Sequence, residues 1–157
     1  MKDAKDIAHL TSLLCFNAYA LNRAFGRYYQ AAFGETGLTY PKFVILTALN
    51  EAGPMTVSEL SARAAVEPNT LSPLLKKMAS FDLITRQRAE EDERRVVLAI
   101  ADTGRAVLAR AHAVVMQGFE DLGLDADAVE QAVQFMQQAR GNVDAAKPPR
   151  LSLDDLK

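Results

Sequence analysis

Two short amphipathic stretches joined tightly, then a pair of strands with a charged tip, restrict the possible folds of this chain more than any other feature. Thr56-Val57-Ser58-Glu59 fits a capping box, and it opens a helix of about two turns carrying Val57, Leu60 and Ala64. After Val66-Glu67-Pro68, the side chains Leu71, Leu74, Leu75 and Met78 fall at i, i+3, i+4 and i+7, which gives the next helix one buried face. Its opposite face carries Asn69, Thr70, Ser72, Pro73, Lys76 and Lys77. Residues 83–88 and 96–100 then read as a β-hairpin closed by the polar loop 89–95. Two strands this short are not stable alone and must pack on the helices.

The flanks are helical. Residues 6–33 carry Ile7, Leu10, Leu14, Ala18, Leu21 and Phe25 at helical spacing with no proline before Gly34, which predicts one long helix with Gly26 as the place for a bend. A turn at 34–37 leads to Tyr40-Pro41, where proline suits a first helical turn, and Phe43, Leu46 and Leu49 run on to a stop at Gly53-Pro54. Asp102-Thr103 is expected to cap a helix through about residue 122, and Asp125 a last one through about residue 140. The fold class expected from these elements is mainly α with a small β-hairpin. In residue ranges this is a single domain over 1–157, with long helical segments at 6–33 and 102–141 flanking a mixed lobe at 38–101, and a mobile tail expected at 144–157.

Composition excludes several classes. With 157 residues and 49% hydrophobic side chains the chain can build one real core. Its 18 basic and 20 acidic residues leave −2, so it does not bind nucleic acid by bulk charge, and any such contact is local. One cysteine, Cys15, rules out an intrachain disulfide framework, and with only His9 and His112 beside it a Cys/His zinc site is not expected. No metal or cofactor is called for. The charged start Met1-Lys2-Asp3-Ala4-Lys5-Asp6 and the lack of an apolar run approaching about 18 residues argue against a signal peptide or a membrane partner. A reducing cytoplasm is the expected compartment.

The order helix, tight turn, helix, hairpin is that of a winged helix-turn-helix, which lays one helix in the major groove with the hairpin beside it. Asn69, Thr70 and Ser72 suit base edges and phosphates, while Lys76 and Lys77 suit backbone charge. Spacing alone explains the same residues equally well as a solvated face, and the hairpin shifts the balance. An interior proline costs about 3 kcal/mol, so Pro73 predicts that the regular helix begins nearer residue 70. In the hairpin, Arg86, Arg88, Arg94 and Arg95 face Glu90, Glu91, Asp92 and Glu93, neutral in sum. The Asp92-x-Arg94 spacing lets the carboxylate hold the guanidinium extended, which suits insertion into a narrow minor groove. As a plain surface ion pair it would be worth about 0–1 kcal/mol.

Asp92-Glu93-Arg94-Arg95, with Leu71-Ser72-Pro73-Leu74-Leu75-Lys76-Lys77 and Leu38-Thr39-Tyr40-Pro41, resembles the MarR family of bacterial transcription regulators over about residues 8–122. Leu14-Cys15-Phe16, Tyr19, Tyr29 and Tyr40-Pro41 together are most similar to its organic-hydroperoxide-sensing, single-cysteine branch, OhrR. There are two departures: Glu67-Pro68-Asn69-Thr70 stands where the branch usually has Asp-Ser-Gly-Thr, and Asp82 stands where the family often has glycine. Asp82 can take the left-handed conformation at some cost. The resemblance implies a winged helix-turn-helix with N- and C-terminal dimerisation helices, in which 38–101 is the DNA-binding lobe and 6–33 and 102–141 pair the subunits, and a homodimeric repressor on a pseudo-palindromic double-stranded operator, released when an organic hydroperoxide oxidises Cys15. It also implies that Tyr19 and Tyr29 of the other subunit hydrogen-bond the sulfur.

The residues alone leave alternatives open. A lone cysteine on an apolar helix is usually core packing. Tyr19 lies one turn from Cys15 on the same face, whereas Tyr29 is about 40° round and roughly 21 Å along, within reach only of a partner's cysteine. With no second cysteine to resolve a sulfenic acid, a small-molecule thiol giving a mixed disulfide is expected. Other readings are a repressor released by a phenolic or amphipathic ligand, with Cys15 merely lining the groove, and a protein-interaction module on a winged helix. A thiol peroxidase is disfavoured because His9 sits about 240° round the helix from Cys15. No residue is assigned as catalytic.

Overall fold

The computed structural model describes residues 9–88, 95–148 and 152. Its elements are α1 (Leu14–Phe33), α2 (Tyr40–Ala52), β1 (Met55–Thr56), α3 (Val57–Ala64), α4 (Pro68–Ser80), β2 (Ile84–Arg88), β3 (Val96–Ile100), α5 (Asp102–Asp121) and α6 (Ala126–Ala145). They fall into two compact units, Met1–Met116 and Gln117–Lys157, with the boundary inside α5. No helix among the described residues is long and apolar enough to cross a membrane.

The first helix is shorter than its apolar spacing predicts. A 3-10 turn at Leu10–Ser12 is followed by an extended Leu13 (φ −79°, ψ 120°), and α1 starts only at Leu14. Asn17 explains the break: its side-chain amide donates to the carbonyls of both Thr11 and Leu13 at 2.8 Å, satisfying the Thr11 carbonyl that a longer helix would have paired itself, while its backbone N–H also bonds the Leu13 carbonyl at 3.1 Å. Residues 6–8 lie outside the described residues. Beyond Leu14 the helix runs unbroken through Gly26.

The expected hairpin forms, paired from Ile84 opposite Ile100 to Arg88 opposite Val96. A third strand joins it: β1 pairs antiparallel with β3 through Met55–Leu98 and Thr56–Val97, so β3 is central in the order β1-β3-β2. The core of the first unit is built from Ile45, Leu46 and Leu49 of α2, Leu60 of α3, Leu71, Leu75 and Met78 of α4, and Ile84 and Leu98 of the sheet, all essentially inaccessible. Burying each is worth about 1.5–3 kcal/mol, and the shared core fixes α4 against the base of the hairpin.

Thr56 and Glu59 make the capping box. The Glu59 N–H donates to Thr56 Oγ1 at 3.3 Å, and the Thr56 N–H donates to Glu59 Oε2 at 2.7 Å. Hydrogen bonds from the Thr56 backbone and hydroxyl, with a smaller pull from the Arg95 charge, hold the Glu59 carboxyl below its usual range against a slight desolvation. Because the folded-state value is depressed, this contribution is present above the ordinary carboxylate range and lost as pH falls through the folded value. Thr56→Ala is therefore expected to cost about 1 kcal/mol at neutral pH, with the difference from wild type shrinking in acid. Urea unfolding at several pH values checks both.

The end of α4 and the start of α5 interlock. Asp82 adopts φ 55°, as its place in the turn predicts, and its Oδ2 accepts the Thr103 hydroxyl at 3.2 Å. The Ala101 N–H donates to the Leu83 carbonyl at 3.1 Å, and Gly104 packs onto the same carbonyl. The expected cap at Asp102-Thr103 is therefore corrected: Asp102 is already helical, the Ala101 carbonyl receives the Arg105 N–H at 2.9 Å, and the Thr103 hydroxyl is committed to Asp82.

In the second unit Asp125 caps α6, accepting from the Ala128 N–H at 2.9 Å. The helix continues to Ala145, past the expected end near residue 140. Val133, Phe135, Met136 and Val143 along it are exposed.

Candidate functional site

The turn between α3 and α4 is tied by the Val66 N–H to the Ser61 carbonyl at 3.2 Å and by Ser61 Oγ to the Val66 carbonyl at 2.7 Å. Ala65 makes the reversal at φ 51°, a conformation that costs a residue with a Cβ about 1–2 kcal/mol. The next helix does not begin near residue 70, as Pro73 suggests. It begins at Pro68, where the missing N–H is one a helix start never uses, and the Glu67 carbonyl receives the N–H groups of Thr70 and Leu71. Pro73 is therefore inside α4.

Leu71, Leu75 and Met78 bury one side of α4. Asn69, Thr70, Ser72, Pro73, Lys76 and Lys77 are all exposed on the remainder, so the structure brings the six together on one surface. Arg86 and Arg88 alternate along β2, hence share a face, and both are exposed. Arg95 is exposed at the start of the returning strand, with its charge felt at Glu59. Asp92 and Arg94 lie outside the described residues.

Lys42 was not legible as a special residue. It is 6% exposed, and its Nζ donates to the Gly37 carbonyl, closing the turn between α1 and α2. Burial, then the nearby charge of Lys77, pushes its pKa below the usual lysine value. The cation of α4 is thus felt at the start of α2.

Cys15 is exposed on α1, together with Leu14 and Tyr19, and is not packed in the core of its own unit. The Tyr19 hydroxyl accepts from Arg23 Nη1 at 3.1 Å, and the guanidinium lies 5.7 Å from the ring centre. Since α1 is unbroken between them, Tyr29 stands about 21 Å along the helix from Cys15, and one chain does not bring the two together. The Tyr29 ring is buried, stacked on Tyr40 at 4.7 Å and on Phe33 at 5.6 Å, with Tyr28 edge-on at 5.7 Å. Desolvation, then Tyr40 and Tyr28, raises its pKa and keeps it a protonated phenol.

Tyr40 is the aromatic partner of Tyr29, a contact that the sequence alone does not reveal. Only the tertiary fold juxtaposes residues 29 and 40, since they lie on different helices. Tyr40 also lines a cavity of about 360 Å³ with Phe43, Val44, Thr47, Ala48, Glu51 and Arg63, the last two paired at 2.9 Å. His112 packs against Phe43 at 5.4 Å between ring centres, and no group of three metal-ligating side chains occurs among the described residues.

The family model for the MarR family matches residues 38–96. Over 103 residues, 65% of this chain and 70% of the relative, the sequence is 38% identical to the HTH-type transcriptional regulator MgrA of Staphylococcus aureus. Among solved structures, reduced AbfR bound to DNA superposes with a TM-score of 0.74 at 23% identity, covering 90% of this chain and 99% of that one. The transcriptional repressor CouR bound to a 23-mer DNA duplex gives 0.74 at 21% identity, covering 86% and 96%. The chain belongs to the MarR family and is a winged-helix, DNA-binding transcription regulator, not an enzyme.

Proposed function

We propose that this regulator is a homodimeric repressor that holds a pseudo-palindromic operator with two copies of α4 and lets go when an organic hydroperoxide oxidises Cys15. The observation that carries the DNA-binding half is the continuous exposed face of α4 opposite its buried leucines. Asn69, Thr70, Ser72 and Pro73 meet the major groove, Lys76 and Lys77 neutralise phosphates, and Arg86, Arg88, Arg94 and Arg95, with Asp92 steering Arg94, follow the neighbouring backbone and minor groove. The segments 6–33 and 102–141 pair the subunits, which the exposed apolar residues Leu14 and Leu21 of α1 and Val133 and Phe135 of α6 support. The protein works in the cytoplasm, where its thiol starts reduced.

The switch is stoichiometric. The Cys15 thiolate attacks one peroxide oxygen and the O–O bond breaks; the other oxygen leaves as an alcohol after taking a proton, and the sulfur becomes sulfenic acid. A small-molecule thiol then displaces water to give a mixed disulfide, so the organic peroxide is the oxidant and no electron is unaccounted for. The partner's Tyr19 and Tyr29 donate hydrogen bonds to the sulfur, a role that suits Tyr29 in particular, whose phenol burial keeps protonated. The largely apolar cavity beside Tyr40 suits the organic part of the peroxide. AbfR, similar in fold, has itself been solved on DNA in reduced and overoxidized forms.

Fluorescence anisotropy on the DNA upstream of its own gene, titrated with cumene hydroperoxide, tests the proposal. Wild type is expected to dissociate and rebind after dithiothreitol, and Cys15→Ser to stay bound. If both proteins bind and neither responds, the same cavity, with its Glu51–Arg63 pair at the edge, favours the second reading: release by a small phenolic or amphipathic ligand.

A further inference from the structure

Pro73 occupies the least economical place in the fold for a proline. It is the sixth residue of α4, and the helix runs on through it to Ser80. With 100° per residue it lies about 165° round from the middle of the Leu71–Leu75–Met78 stripe, at the centre of the exposed face, with Asn69 and Lys77 on either side. There it contributes nothing to the core. A proline inside a helix removes one hydrogen bond and crowds the carbonyl four residues back, bending the helix open on the proline's side. A local rule broken on an exposed face, with no packing return, points to function.

The carbonyl that loses its partner is that of Asn69, four residues before Pro73. It sits in the first turn of α4, and a helix of this class reads base edges with its N-terminal residues. Helix carbonyls point towards the C-terminus, so this one is directed along the exposed face towards Pro73. Resting on the reading of α4 as the groove helix, we infer that Pro73 frees the Asn69 main-chain carbonyl to accept a hydrogen bond from a base, making Pro73 a specificity-determining residue. In the major groove only the N6 amine of adenine and the N4 amine of cytosine donate, while guanine and thymine offer no donor there. The freed carbonyl therefore selects an exocyclic amine at one position of each half-site. It does so whichever residue stands at 69, since the main chain is the acceptor.

The test uses the full chain and a duplex that the wild-type protein selects from a random library. At each half-site position adenine is replaced by purine, or cytosine by 2-pyrimidinone, each change deleting one exocyclic amine. At one position wild type is expected to lose about tenfold in affinity, and Pro73→Ala, whose alanine N–H satisfies the carbonyl, less than twofold. Asn69→Ala keeps the carbonyl and is expected to keep the tenfold penalty. Pro73→Ala is also expected to melt at a higher temperature with an unchanged salt dependence. The inference is overturned if amine deletion weakens wild type and Pro73→Ala equally or weakens neither, or if Asn69→Ala abolishes the penalty, which would assign recognition to the side-chain amide. Lys76→Gln/Lys77→Gln runs alongside: if it binds the selected duplex as tightly as wild type, the groove-helix reading itself fails.

Discussion

Lys76→Gln/Lys77→Gln is expected to lower operator affinity on the order of a thousandfold at about 0.1 M salt, and to flatten its salt dependence. Both side chains are exposed on the face of α4 away from the core, so the change should cost affinity without unfolding the domain. In a dimer the double substitution removes four cations from the DNA. Each phosphate neutralised contributes about 0.9 to the slope of log affinity against log salt, so that slope should fall in magnitude by about 3.6. Stability is expected to hold or rise slightly, because Lys77 is one of the charges that disfavour the buried Lys42 ammonium. Anisotropy from about 0.05 to 0.3 M salt beside a urea melt reads both. An unchanged slope would remove α4 from the DNA interface.

Gly104→Ala is expected to be the most damaging small substitution in the first unit, at about 3 kcal/mol or more. A Cβ there would lie 2.0 Å from the Leu83 carbonyl oxygen and 3.0 Å from both Leu83 C and Ile100 Cγ1. Neither side can yield cheaply, because the Leu83 carbonyl is held by the Ala101 N–H at 3.1 Å and Ile100 belongs to the sheet. The start of α5 must therefore lift away from the end of α4, taking the Thr103–Asp82 hydrogen bond with it. The matched control is Gly26→Ala in α1, where a Cβ meets nothing within 4 Å and helix propensity alone should gain about 1 kcal/mol. Urea midpoints for the two variants should move in opposite directions. A loss under about 1 kcal/mol for Gly104→Ala would mean that the two segments do not approach this closely.

Features governed by local rules were legible in the sequence. The Thr56–Glu59 box, the Asp125 cap, the Leu71–Leu75–Met78 stripe and the two strands of the hairpin each depend on residues within a few positions or on strict periodicity, while the left-handed Asp82 follows from the resemblance, whose family often has glycine there. Features set by distant partners were not. Strand β1 is two residues long, too short for any alternation to show, and exists because β3 has a free edge. Leu13 reads as one more apolar helical position, and only the Asn17 amide, bound to two carbonyls, stops the helix there. Pro68 and Pro73 compete for the start of α4; a single-helix argument favours the later one, while tertiary packing of Leu71 favours the earlier.

The candidate site divides in the same way. The polar face of α4 follows from helical spacing once its buried side is known. The thiol face does not, because an exposed cysteine on an apolar helix and a buried one have the same sequence pattern. Tyr29 enters the site through the resemblance, whereas its stacking on Tyr40, and the cavity Tyr40 lines, depend on how α1 meets α2. Lys42 lies between Pro41 and Phe43, and nothing local marks it as the lysine that closes on Gly37.

The thiol switch is tested most directly by measuring sulfur chemistry and DNA occupancy in the same sample. Operator-bound protein is treated with less than one equivalent of cumene hydroperoxide in the presence of glutathione, the bound and released pools are separated, and intact masses are recorded. The expected result is a single glutathione adduct on Cys15 confined to the released pool, with the bound pool unmodified. Adducts distributed equally between the pools, or release without any change in mass, would contradict control of DNA binding by Cys15.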